Sequence, residues 1–160
     1  YRNLCGEIFQ ALERHGFRHI YILNGHGANL EPLAKAADAV SKAKLRIKSW
    51  WDFDGVKLLR QAFYGDWEGM HATPSEIAIT QVAHRSVDAA LASEPPEKLT
   101  QEFVRTHAGD KHGPADEHRA QFPDGRVGSH SALATRAQGA QLKAAAVSAL
   151  IKDYEKFVDS

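Results

Sequence analysis

Ile20-Tyr21-Ile22-Leu23-Asn24-Gly25-His26-Gly27-Ala28-Asn29 is the stretch whose reading decides the fold. Ile20 to Leu23 is an apolar run long enough for a buried strand. It breaks into Asn24-Gly25-His26-Gly27, a turn cluster with glycines on either side of one histidine. Asn29 then stands where it would cap a helix opening with Leu30 and Glu31, with Pro32 early, where proline is tolerated. The order is strand, tight turn, helix. In open α/β sheets ligands bind at the carboxyl ends of such strands. Two readings of His26 stand side by side: a turn histidine bonded to nearby backbone, and a metal ligand or catalytic base. The glycine spacing is not that of a dinucleotide fingerprint, and no Gly-Lys-Ser/Thr follows to make a phosphate loop.

Outward from this stretch, Leu4, Ile8 and Leu12 recur every four residues and predict one apolar face of a first helix. Asn3 would cap that helix and Gly16 end it. Cys5 lies beside the face as an inert packing residue. The second helix is expected over about 30–43, with Leu33, Ala37 and Val40 inward. Residues 45–51 alternate apolar and basic, which predicts a second strand parallel to the first. Of Trp50 and Trp51 at its exit, one is expected in the core and one at the edge of a site. A short helix over 56–63 follows, then the loop Tyr64-Gly65-Asp66-Trp67-Glu68-Gly69-Met70.

His71-Ala72-Thr73-Pro74-Ser75-Glu76 opens the next helix. Thr73 as N-cap, Pro74 at the first helical position and Glu76 three residues after Thr73 form a capping box. On that reading Glu76 serves backbone only. The alternative makes Glu76 and His71 part of the pocket of His26, since a carboxylate and a neutral imidazole are ordinary ligands of a divalent metal. Residues 100–130 read as a loop rich in histidine and glycine, where His112 and His118 would reach a site only as part of a lid. The last helix is expected over about 133–158, with Leu142, Ala146, Leu150, Tyr154 and Phe157 inward and Gly139 marking close packing.

Composition excludes several classes. The 160 residues carry 43% hydrophobic and 25% charged side chains, with 20 Lys+Arg against 20 Asp+Glu. A balanced charge argues against a nucleic-acid or anionic-membrane partner. No apolar run approaches the ~20 residues of a membrane span. One cysteine cannot form an internal disulfide and fits a reducing, cytoplasmic setting. The length suits one domain over residues 1–160.

Several of these stretches together resemble the creatininase (creatinine amidohydrolase) family: Gly16-Phe17-Arg18 leading into Leu23 to Asn29, Trp51-Asp52-Phe53, His71 to Glu76, and Gly125-Arg126-Val127-Gly128 with Ala134-Thr135. The resemblance implies a three-layer αβα sandwich with a mainly parallel sheet, and a metal-dependent amidohydrolase acting on a small cyclic or linear amide. It implies two divalent ions, zinc or manganese, with His26 and Glu76 among the ligands and His71 moving the proton to the leaving nitrogen. Asn29, Trp51, Asp52 and Trp67 would face the substrate. The family tends to closed, often hexameric, homo-oligomers.

This sequence departs from the family in two places. The glutamate, histidine and aspartate ligands that the family supplies before the Asn-Gly-His loop have no counterpart here, so the N-terminal part of the domain is expected to be missing and the isolated piece to be impaired. Ala28 stands where creatininase itself has a carboxylate. Three rivals follow: a formamidopyrimidine-type deformylase on the same fold, a family member without activity, and an anion-binding α/β module.

Overall fold

The computed structural model describes residues 1–86, 88–109, 111 and 113–160, so the expectation for His112 lies outside the described residues. The chain separates into two compact units, Tyr1–Phe53 with Ser148–Ser160, and Asp54–Val147.

The first unit is built on β1 (His19–Asn24) and β2 (Lys44–Ser49), preceded by α1 (Arg2–Arg14) and joined by α2 (Leu30–Ala37). The strands are parallel, with Ile20 opposite Leu45 and Ile22 opposite Ile47. Side chains alternate across a strand, so these four face one way and pack with Cys5, Phe9, Leu33 and Ala36 from α1 and α2. His19, Tyr21 and Arg46 face the other way. The C-terminal stretch of α7 (Arg136–Val158) covers that side: the Tyr21 hydroxyl donates to Asp153 Oδ2 at 2.7 Å, Arg46 Nη1 donates to Asp153 Oδ1 at 3.0 Å, and the ring of Phe157 meets that of His19 at 5.3 Å. Helix, sheet and helix thus stack as three layers, as a parallel sheet requires. Among the described residues the sheet has two strands.

Three expectations are corrected here. The buried side of α1 runs through Cys5, Gly6 and Phe9, whereas Leu4 and Ile8 are exposed. Cys5 and Phe9 on this side pack with Ile20, Leu33 and Ala36, and Gly6 between them faces the chain leaving α2, where a Cβ would sit in ordinary contact 3.5 Å from Ala39 Cβ. That second helix stops at Ala37 instead of running to residue 43. Glu13 Oε1 accepts the backbone N–H groups of Ser41, Lys42 and Ala43, which takes them away from any further helical turn. Those backbone donors hold the Glu13 carboxyl below its ordinary pKa. Tyr154 is 49% exposed, while Phe157 carries the inward role at 4%.

The second unit holds α3 (Asp54–Tyr64), α4 (Pro74–Ala83), α5 (Gln101–Thr106), α6 (Ala115–Gln121) and residues 136–147 of α7. Val56, Tyr64, Ala78, Val127 and Leu142 are buried in it. Gly139 of α7 meets α4 so closely that a Cβ would lie 1.9 Å from the carbonyl oxygen of Ala78, the close packing expected of a mid-helix glycine. The short helices α5 and α6 replace the predicted loop. Thr100 caps α5 by accepting from Phe103 N at 3.1 Å, and Phe103 meets both His107, stacked at 3.8 Å, and Phe122 at 5.8 Å. Such aromatic contacts between short helices leave no periodic trace in a sequence.

Candidate active site

Asn24 organises the loop after β1. Only 3% exposed, it donates from Nδ2 to Ser49 Oγ on β2 at 3.0 Å and to the carbonyl of His26 at 2.9 Å. Its Oδ1 accepts from His26 N and from Asn29 Nδ2, both at 3.3 Å. Asn29 therefore ties the loop to the strand and makes no side-chain cap on α2, correcting the expected capping role. His26 takes a capping position itself: it is extended at φ −149°, and its Nδ1 accepts from Ala28 N at 3.2 Å, starting the 3-10 turn Gly27–Asn29. The backbone-bonded reading of His26 holds locally, and the residue is exposed. At the end of β2, Trp50, Trp51 and Asp52 form a 3-10 turn. Both indoles are half-buried and meet edge to face at 5.8 Å, so the expected division into one core and one site-edge tryptophan is not found.

The segment from Trp67 to Glu76 belongs to the second unit. Trp67 is half-buried. Its carbonyl accepts from His130 N at 2.9 Å, its ring lies edge-on to His130 at 5.7 Å, and Lys98 Nζ stands over it at 4.6 Å, a cation–π distance. Gly69 turns the chain at φ +63°, where a Cβ would lie 2.2 Å from Ser129 Oγ. Only glycine satisfies both the angle and the space. Met70 N then donates to Val127 O at 2.9 Å, and His71 pairs with Val127 in an antiparallel bridge. His71 is exposed.

Ala72 follows at φ +53°, the only non-glycine positive φ among the described residues. An alanine held there costs roughly 1–2 kcal/mol, and such outliers concentrate at functional sites. Ser131 Oγ donates to the Ala72 carbonyl at 2.6 Å and holds the turn. The predicted capping box is complete: Thr73 Oγ1 accepts from Glu76 N at 3.2 Å, and Glu76 Oε2 accepts from Thr73 N at 3.2 Å and from Thr73 Oγ1 at 2.9 Å.

Sequence reasoning missed Asn24, Ser49, Glu68 and Arg60. Arg60 Nε donates to Glu68 Oε1 at 3.0 Å, and Ser75 Oγ donates to the same oxygen. Burial and the nearby Glu68 charge push the Tyr64 hydroxyl up to about 12. Glu68 and Ser75 were legible only as a loop residue and a helix-start residue, because nothing periodic marks a buried ion pair.

His26 and Glu76 are of the right chemical types for a divalent metal. They do not amount to a metal site by themselves: among the described residues no group of three or more His, Cys, Asp or Glu side chains is placed to hold an ion. His26 Nδ1 and Glu76 Oε2 already accept backbone protons.

Helices on both faces of a parallel strand pair, with a histidine-bearing turn at the carboxyl end of the first strand, define an α/β protein; in open sheets of this class ligands bind at the carboxyl ends of the strands. Residues 1–154 match the creatininase family, described as creatinine amidohydrolase, and the chain belongs to it. Solved structures agree in fold. A tryptophan-to-phenylalanine mutant of creatininase, type II, is 20% identical with a TM-score of 0.73. The manganese form of creatininase is 21% identical with a TM-score of 0.70. A glutamate-to-glutamine mutant complexed with creatine is 21% identical with a TM-score of 0.69. In each case 98% of this chain is covered, and the chain spans 63% of the other. One further match is a Zn-Zn type of the same enzyme. No curated protein sequence matches. Among the described residues no helix is long and apolar enough to cross a membrane.

Proposed function

We propose that residues 1–160 are one creatininase-like domain carrying part of a metal-dependent amidohydrolase site that opens a small cyclic or linear amide. The observation that carries the reading is the strained, doubly anchored turn at Ala72. It holds an exposed histidine, His71, five residues ahead of Glu76 in the first turn of α4. In the reaction, water adds to the carbonyl carbon and the C–N bond breaks. A ring N–H of His71 gives its proton to the departing nitrogen as a general acid; of the two protons of the added water one restores the His71 ring and the other passes to solvent, leaving an amine and a carboxylate. Trp51, Asp52, Asn29 and Trp67 are the residues we assign to the substrate. His26 and Glu76 are assigned as ligands to zinc or manganese, which when bound lowers the pKa of water toward neutrality. Such an ion needs further donors beyond those that the described residues bring together.

The reading also takes the protein as a cytoplasmic homo-oligomer, which native mass spectrometry would test. The decisive experiment is a zinc and manganese titration beside a panel of small lactams, linear amides and formamides. In the intact protein stoichiometric metal and metal-dependent turnover are expected, with kcat of His71→Asn lower by about 10²- to 10⁴-fold; residues 1–160 alone are expected to bind metal weakly and to turn over little. A protein that binds neither metal nor turns over any amide would overturn the reading and leave a family member without the activity.

A further inference from the structure

The mechanism above uses no residue of the ion pair beneath it. Arg60 on α3 and Glu68 have side chains only 23% and 12% exposed, and Arg60 reaches Glu68 Oε1 through both Nε and Nη2 at 3.0 Å. The same oxygen accepts from Ser75 Oγ. Ser75 is fully buried and lies 3.2 Å from Thr73 Oγ1, the hydroxyl that donates to Glu76. One line of contacts therefore runs from α3 through Glu68 and Ser75 to the capping box. Glu68 Oε2 is buried with no hydrogen-bond partner among the described residues, a cost of about 1–3 kcal/mol that a loop residue chosen only for stability would avoid.

We propose that Glu68 is a positioning residue for this site: pinned by Arg60, it holds Ser75 and through it the capping box that sets where Glu76 stands. The inference rests on the functional reading above. Groups that orient a ligating or proton-transferring residue typically change affinity or rate by about 10- to 100-fold when removed. Glu68→Gln keeps an oxygen for Ser75 and removes the charge that Arg60 holds. Ser75→Ala keeps the Arg60–Glu68 pair and removes only its link to α4, so it remains informative if Glu68→Gln folds poorly.

The test measures kcat, KM, manganese affinity and thermal midpoint on the intact protein. Both variants are expected to lose about 10-fold or more in kcat and in manganese affinity, with KM for the amide within about twofold. A lowered midpoint with unchanged kcat and metal affinity, in a wild type that turns over, would overturn the positioning role alone. A wild type with neither turnover nor metal overturns the functional reading and this inference with it.

Discussion

Replacing Gly139 by alanine sets two terms of opposite sign against each other. In an exposed helix interior the change would stabilise by about 1 kcal/mol, because glycine is the poorer helix former. Here the new Cβ would stand 1.9 Å from Ala78 O, 2.3 Å from Ala78 C and 2.9 Å from Ile79 N. All three are backbone atoms of α4, so no rotamer change relieves the overlap. Restoring an ordinary C···O separation of about 3.3 Å needs a displacement of more than ~1 Å between two helices. Overpacking of this kind typically costs about 1–3 kcal/mol, and more when backbone must move. The steric term wins, and we expect a net loss of about 2 kcal/mol, or roughly 4–8 °C in thermal midpoint. Urea unfolding followed by far-ultraviolet circular dichroism measures it. Ala140→Gly, at the exposed next position, is the control and should lose about 1 kcal/mol. An unchanged or raised midpoint for Gly139→Ala would refute the close approach of α4 and α7.

Three further expectations follow from the same structure. Ala72→Gly relieves the positive φ while adding freedom to the unfolded chain, so stability should rise by up to about 1 kcal/mol; a loss by denaturant titration would contradict the strained turn. Asp153 is raised by burial, but the Tyr21 hydroxyl and the Arg46 charge outweigh this and hold it below the usual carboxylate range. Its contribution is therefore present above about pH 3.9 and lost as pH falls through its lower folded value. Asp153→Asn should flatten the fall of the thermal midpoint below that pH, and an acid limb as steep as the wild type's would count against the Tyr21–Asp153–Arg46 contacts. The loss of kcat in His71→Asn completes the set; full activity in that variant would remove His71 from the proton transfer.

Much of the local framework was legible in the amino-acid order. The strand–turn–helix around His26 and the capping box from Thr73 to Glu76 depend on residues within a few positions of one another, the parallel direction of the second strand follows from the strand–helix–strand order, and the close contact at Gly139 is marked by a glycine where any side chain would be costly. Caps, turns and periodicity act over three or four residues, and a single sequence displays them. The helices α5 and α6 were missed because their anchors are aromatic pairs such as Phe103 and Phe122, nineteen positions apart.

What only the tertiary structure decided involves partners far apart in the chain. Asn24 could be read as a turn residue, but that it is buried and bonded to Ser49, 25 residues on, depends on the strands being paired. Which side of α1 is buried was settled by the packing of Cys5 and Phe9 on Ile20, Leu33 and Ala36, and not by the Leu4–Ile8 spacing. Glu68 looks in sequence like any solvated loop acid; its burial beside Arg60 and Ser75 exists only once α3 and α4 are packed. The sequence alone determined which short segments fold and where they start, because those choices are made by backbone hydrogen bonds between near neighbours. The packed chain determined which polar side chains lose water, because desolvation depends on what the rest of the fold places over them.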